Sequence, residues 1–265
     1  MIEGNGMRVR RAGLGVVFCL VATVLVATVV SAQEAKPDKL PKIIVAAPLA
    51  VTTGVPVKLA LRGLFLDEIT DVKIVLPELK AEIASKGKSP VPQNYDAKQI
   101  GDSQAEIKFT LPAETPAGPL RFVAVSPQGE SVPYEIAVLK SGELIEDKEP
   151  NDGFKSAQRI SAGQTVAGTI HEARNVDVFQ VDVPAGQKLA VSIRAARAGS
   201  PLDPFLTVYD ASGQIVAGGD DADGRDPRVE VTLTKAGAYF LSLQDANDSG
   251  GPHFAYLLTV RLESP

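Results

Sequence analysis

Asp147, Glu149, Asn151 and Asp152 fall in one short stretch, Asp147-Lys148-Glu149-Pro150-Asn151-Asp152. Its carboxylates and amide carbonyl are hard oxygen ligands, and the proline forbids helix and keeps the chain extended or turned. Ca²⁺ takes about 6–8 oxygen ligands at about 2.3–2.6 Å in irregular geometry. One loop that supplies several of them, completed by a distant carboxylate, therefore predicts a calcium site. Asp177, two residues before Phe179 at a strand entrance, is the expected completing ligand. The alternative is that Asn151 and Asp152 simply form a turn, their side chains bonded to local backbone.

A second acidic group, Asp220, Asp221, Asp223 and Asp226 around Gly224, has the residue types of an EF-hand loop. Gly219 occupies the first position of that register, however, and the flanks alternate as strands, so an EF-hand is rejected. A solvated hairpin loop is expected there. A second ion site is the alternative, because a cation would relieve the crowded like charges.

Other chemistry finds little support. The chain has two histidines, one cysteine and two methionines, so the usual ligands of zinc, haem and iron–sulfur clusters are nearly absent. His171 and His253 are each expected on the surface or in a loop, and neither is accompanied by a nucleophile signature. No pair of carboxylates is singled out for glycoside hydrolysis, phosphate-loop and dinucleotide motifs are absent, and Gly218-Gly219 precedes acids that would repel phosphate. With 27 Lys+Arg against 32 Asp+Glu, the net charge of −5 argues against nucleic-acid binding.

The elements that must position these residues are strands. At 265 residues, with 45% hydrophobic and 22% charged, the chain can bury a core of one or two domains. Period-two alternation recurs at Val57, Leu59 and Leu61, at Ile107, Phe109 and Leu111, and at Tyr134, Ile136 and Val138. It returns at Phe179, Val181 and Val183, at Leu189, Val191 and Ile193, at Val229, Val231 and Leu233, at Tyr239, Leu241 and Leu243, and at Tyr256, Leu258, Val260 and Leu262. Turn signals such as Thr115-Pro116-Ala117-Gly118 separate the strands, no capped amphipathic helix stands out, and the spacing predicts β-sandwiches.

Arg8, Arg10 and Arg11 precede an uncharged run, Ala12 to Ala32, that ends in Val30-Ser31-Ala32. This predicts a cleaved signal peptide over residues 1–32, with an uncleaved membrane anchor as the alternative. The remaining chain would hold no cysteine and carry a net charge of −7, because the leader contains Cys19, three arginines and Glu3. An exported protein without disulfides must find its stability in core burial, or in a bound ion. The expected organisation is a linker over 33–41, a sandwich over 42–140, an acidic linker over 141–152 and a second sandwich over 153–265.

The run Glu146 to Ile160, followed by Val166 to Ile170, Asn175 to Ala195, Leu202 to Leu233, Ala236 to Asp245 and Tyr256 to Val260, resembles the bacterial pre-peptidase C-terminal domain. That resemblance implies a non-catalytic jelly-roll β-sandwich, related to the collagen-binding domains of clostridial collagenases. It also implies a calcium site, since Asp147, Glu149, Asn151, Asp152 and Asp177 fall on the positions those relatives use. Asp147 stands where Glu is usual and Asn175 where Asp is usual, which lowers the ligand charge. More weakly, Ile43 to Gly63 and Leu111 to Ser131 resemble an Ig-like IPT/TIG module.

The expectation is thus an all-β protein of two β-sandwich domains, Ig-like and then jelly-roll. It would be secreted, periplasmic or on the cell surface, and would be a non-catalytic binding or scaffold protein with a Ca²⁺-ordered linker. Its partner would be an extracellular protein or polysaccharide, with membrane contact only through an uncleaved leader. The alternatives are an accessory partner of a secreted protease or surface polysaccharide, and an unrecognised hydrolase. Tyr95, Tyr209 and Phe254 are the aromatic residues not assigned to a core-facing alternation, and so the candidate contact anchors.

Overall fold

A computed structural model describes residues 39–76, 79–92 and 95–264. The expected signal peptide lies outside these residues. In chain order the first strands are β1 (Lys42–Ala47), β2 (Ala50–Thr52), β3 (Pro56–Leu64), β4 (Asp71–Ile74), β5 (Glu82–Lys88), β6 (Ser103–Thr110), β7 (Gly118–Ser126), β8 (Gly129–Glu130) and β9 (Tyr134–Leu139). They form two sheets, ordered β1-β3-β6-β5 and β2-β9-β7-β4, with β8 beside β7. The alternation explains the layering: Val57, Leu59 and Leu61 of β3 and Ile107 and Phe109 of β6 turn inward and meet Leu120, Phe122, Ile136 and Val138 from the facing sheet.

The later strands are β10 (Leu144–Glu146), β11 (Gln158–Arg159), β12 (Thr165–Thr169), β13 (Val176–Val183), β14 (Lys188–Arg194), β15 (Pro204–Asp210), β16 (Ile215–Gly219), β17 (Arg228–Thr232), β18 (Gly237–Asp245) and β19 (Ala255–Glu263). They form two further sheets, ordered β10-β12-β19-β14-β17 and β11-β13-β18-β15-β16. Phe179, Val181, Leu189, Val191, Leu206, Val208, Leu241, Leu243, Tyr256 and Leu258 fill the space between them. The fold is all-β, as expected, and among the described residues no helix is long and apolar enough to cross a membrane.

Three local features differ from the sequence reading. A single-turn helix, α1 (Ala97–Ile100), is held by a capping box in which Asp96 accepts from the Lys98 N–H and Gln99 accepts from the Asp96 N–H. Within the stretch expected to link the sandwiches, β10 pairs in parallel with β12 as an edge strand. Val178, on the side of β13 away from the core, is nonetheless buried, and its N–H donates to the Asn151 carbonyl at 2.9 Å.

Lys39–Pro265 form one compact unit. A small apolar cluster joins the sandwiches: Val45, Leu49 and Ala50 meet Ala167, Ala198, Ala255 and Leu257. Small side chains let the sheets approach closely. The Tyr134 hydroxyl spans the junction, accepting from the Ala46 N–H at 3.1 Å and donating to the Ala198 carbonyl at 2.7 Å. Burial pushes this phenol up to about 12.

Candidate metal centre

The acidic stretch is fixed by backbone bonds before its side chains are considered. The Asp147 N–H donates to the Ala167 carbonyl at 3.0 Å, which carries the β10–β12 pairing one residue further. The Gln158 side chain brackets the same point, donating to the Glu146 carbonyl and accepting from the Lys148 N–H, both at 2.9 Å. Beyond the Glu149–Pro150 bond, which is cis, the Asn151 N–H donates to Glu149 Oε2 at 3.0 Å. Asn151 is fully buried, and its Nδ2 donates to Asp147 Oδ1 at 2.7 Å.

Asp177 enters from β13 and is also fully buried. Its Oδ2 accepts from the hydroxyl of Tyr256, on β19. Gly168 faces Tyr256 across the β12–β19 pair, and a Cβ there would lie 2.3 Å from the phenol oxygen. Only glycine leaves room for the phenol to reach Asp177.

One ligand atom from each of Asp147, Glu149 and Asp177 lies within 4.8 Å of the others. Two oxygens bound to one Ca²⁺ can be at most about 4.6–5.2 Å apart, so these three are close enough to share an ion. Two oxygens of these side chains, Asp177 Oδ1 and Asn151 Oδ1, are buried without a hydrogen-bond partner. Such orphaned acceptors cost free energy unless something satisfies them. Burial, and then the neighbouring Asp147 charge, push the Asp177 carboxyl up to about 8. Burial, and then Glu149, push Asp147 up to about 6. Among the described residues no lysine or arginine pairs with any of the three. Hard oxygens, negative charge and unsatisfied acceptors fit a divalent cation of the calcium type.

The structure therefore gathers Asp147, Glu149, Asn151 and Asp177. Asp152 stands apart: it is exposed, and its Oδ1 accepts from Asn175 Nδ2 at 3.1 Å. Two contributors escaped the sequence reading. Tyr256 orients Asp177 from a distant strand and carried no local signal. His171 Nδ1 lies 2.9 Å from Glu149 Oε1, so this exposed histidine holds a candidate ligand from outside. A cleft of about 620 Å³ opens beside the cluster, with Asp147, Glu149 and His171 on one wall and Ala47, Val51 and Val57 on the other.

The second acidic group is not a matching cage. Asp226 is fully buried and accepts from the Ala195, Ala196 and Arg197 N–H groups and from Arg197 Nε. Asp223 pairs with Arg197 Nη1 at 3.1 Å. Asp226 thus serves the backbone of a short 3₁₀ turn, Ala196–Ala198, whose leading N–H groups have no other acceptors. His253 sits in a turn, as expected, but is buried, and burial followed by the Arg62 charge brings its imidazole down to about 4. Of the candidate anchors, Phe254 is buried and Tyr95 packs edge-on against it at 6.0 Å. Tyr209 contacts Phe154, which stacks on Phe240 at 4.6 Å.

Residues 175–245 match the family described as the bacterial pre-peptidase C-terminal domain, a stretch that begins at Asn175 and runs to the end of β18. A protein of Deinococcus radiodurans described as "Probable subtilase-type serine protease" is 31% identical over 140 residues, which are 51% of this chain and 19% of that protein. The chain thus spans about a fifth of the length of this curated relative. The pre-peptidase C-terminal domain of a Bacillus anthracis collagenase is 20% identical with a TM-score of 0.34, covering 40% of this chain and 94% of that one. A Bacteroides ovatus glucan-utilisation protein, solved with a mixed-linkage heptasaccharide, is 11% identical with a TM-score of 0.27 over 84% of this chain and 74% of that one.

Proposed function

We propose that this is an exported, non-catalytic binding or scaffold protein in which Ca²⁺ orders the segment that joins two β-sandwiches, the first Ig-like and the second jelly-roll. Asp147, Glu149 and Asp177 would hold the ion through carboxylate oxygens, with Asn151 Oδ1 as the fourth donor. One observation carries the reading: these residues come from two separate elements, yet their oxygens converge, and two of the oxygens are buried without a partner. The ion would supply charge neutralisation. The chain's own residues do the rest: Gln158 fixes the loop backbone, Tyr256 orients Asp177, and His171 steadies Glu149.

An ion that binds only the folded state adds about 2.7 kcal/mol at 100 times its Kd. Calcium titrated calorimetrically into chelator-stripped protein is therefore expected to show one site, and to raise the melting temperature by about 5–10 °C for a protein of this size. Absence of binding heat together with coincident melts in chelator and in millimolar calcium would refute the reading.

The match of residues 175–245 to the bacterial pre-peptidase C-terminal domain supports an extracellular, secreted or periplasmic setting and a non-catalytic role. A second reading, an accessory partner of a secreted protease, is favoured by the similarity to part of the Deinococcus protein. Co-purification with a subtilase from the same culture medium supports that reading, and its absence under native conditions counts against it.

A further inference from the structure

We infer that the groove between the sandwiches at the start of β1 binds an acidic polysaccharide, one bearing carboxylate or sulfate groups along its chain. The inference names the partner class of the exported binding role proposed above, but it uses residues separate from the carboxylate cluster. The groove encloses about 470 Å³. Lys42 of β1 and Lys98 of α1 line one wall, and Arg225, from the loop before β17, lines the other. All three are exposed, and no acidic side chain lines the groove among the described residues.

The lining is thus cationic in a chain whose net charge is −5. Several other exposed cations sit on acids, as in Lys58–Glu106, Lys73–Glu130, Arg121–Glu135 and Arg228–Glu230. Lys42, Lys98 and Arg225 enter no ion pair among the described residues. The acids nearest in sequence to Lys98 and Arg225 are engaged elsewhere: Asp96 caps α1, and Asp226 accepts from the Ala196 N–H and from Arg197 Nε. A cleft lined by one sign of charge between low-dielectric walls focuses field and concentrates oppositely charged ligands.

The polymer's chemistry follows from what else the groove offers. Tyr95 also lines it, with its ring held edge-on by Phe254, and Gln99 uses its carbonyl to accept the Asp96 N–H, which leaves its amide NH₂ as a donor. A fixed aromatic ring, an amide and spaced cations suit sugar rings that carry anionic groups. An acidic peptide could not add here as a strand, because strand addition needs an open sheet edge. Gly199 closes the edge of β1 there: a Cβ on it would lie 1.9 Å from the Ile44 carbonyl oxygen.

The test is affinity electrophoresis of the protein through gels containing polygalacturonate, dextran sulfate or neutral dextran, with chelator present so that calcium bridges nothing. Retardation is expected on at least one anionic gel and not on dextran, and the two anionic arms tell carboxylate from sulfate. Because exposed charges are screened within about 10 Å at 0.1 M salt, retardation should fade as salt rises. Lys42→Ala, Lys98→Ala and Arg225→Ala should each weaken apparent affinity about two- to five-fold, and the combined Lys42→Glu/Lys98→Glu/Arg225→Glu variant should migrate freely. Equal migration on all gels, or retardation untouched by the single alanine variants, overturns the inference. More effective competition by poly-glutamate than by free polygalacturonate and dextran sulfate overturns it in favour of an acidic protein. Calcium titration reads the other cluster, so either proposal can fail while the other stands.

Discussion

Replacing Asp177 by Asn exchanges one buried oxygen for nitrogen and removes one negative charge. The acceptor for the Tyr256 hydroxyl survives, and the new NH₂ can donate to the remaining carboxylates. In chelator near pH 8 the change should stabilise the protein. Burial and the Asp147 charge push Asp177 from 3.8 up to about 8, so the folded state resists ionising it. At about 1.4 kcal/mol per pH unit, that interval bounds the gain at about 6 kcal/mol. The repulsion is shared with Asp147, so about 2–3 kcal/mol is expected, or about 4–10 °C in melting temperature. In millimolar calcium the order reverses, because wild type gains the ion and the variant loses a ligand. The assay is four melting curves, wild type and Asp177→Asn, each in chelator and in calcium. A variant less stable than wild type in both conditions would show that Asp177 stabilises the fold without an ion, and would refute the reasoning.

Wild type in chelator should lose stability as pH rises, because the stabilising protonation of Asp147 and Asp177 is complete below 3.8 and is lost as pH climbs through about 6 and then about 8. Urea midpoints across that window check the sign. Gly168→Ala should displace the Tyr256 phenol, cost about 1–3 kcal/mol and weaken calcium binding, read by melting and titration together. Tyr134→Phe strips the Ala46 N–H and the Ala198 carbonyl of their shared partner, at a cost of about 1–3 kcal/mol in urea unfolding, with no change in calcium affinity. Asp226→Asn should destabilise by a similar 1–3 kcal/mol, equally in calcium and in chelator, because its carboxylate serves backbone donors and Arg197.

The alternation of Val57, Leu59 and Leu61, or of Leu189, Val191 and Ile193, carries its own layer assignment, because side chains on a strand change face at every residue. The all-β class was legible for that reason. So was the crowding of oxygens from Asp147 to Asn151, since proximity in sequence there is proximity in space. The difference between Asp152 and its neighbours was not legible, nor was the buried donor from Tyr256 to Asp177, 79 residues away. Strand register sets such meetings: Gly168 opposite Tyr256 and Asp177 opposite Leu243 are consequences of which strands pair and where. The same holds for Asp226. In sequence it is one of four crowded acids, but in the fold it is a buried acceptor for Ala195–Arg197. The grouping of Lys42, Lys98 and Arg225 likewise needs two sandwiches locked together by Val45, Ala50, Ala167 and Leu257. The sequence by itself determined the faces of strands and the local supply of ligands. Only tertiary structure decided which ligands converge and which cations are left without an acid, because those depend on contacts between elements far apart in the chain.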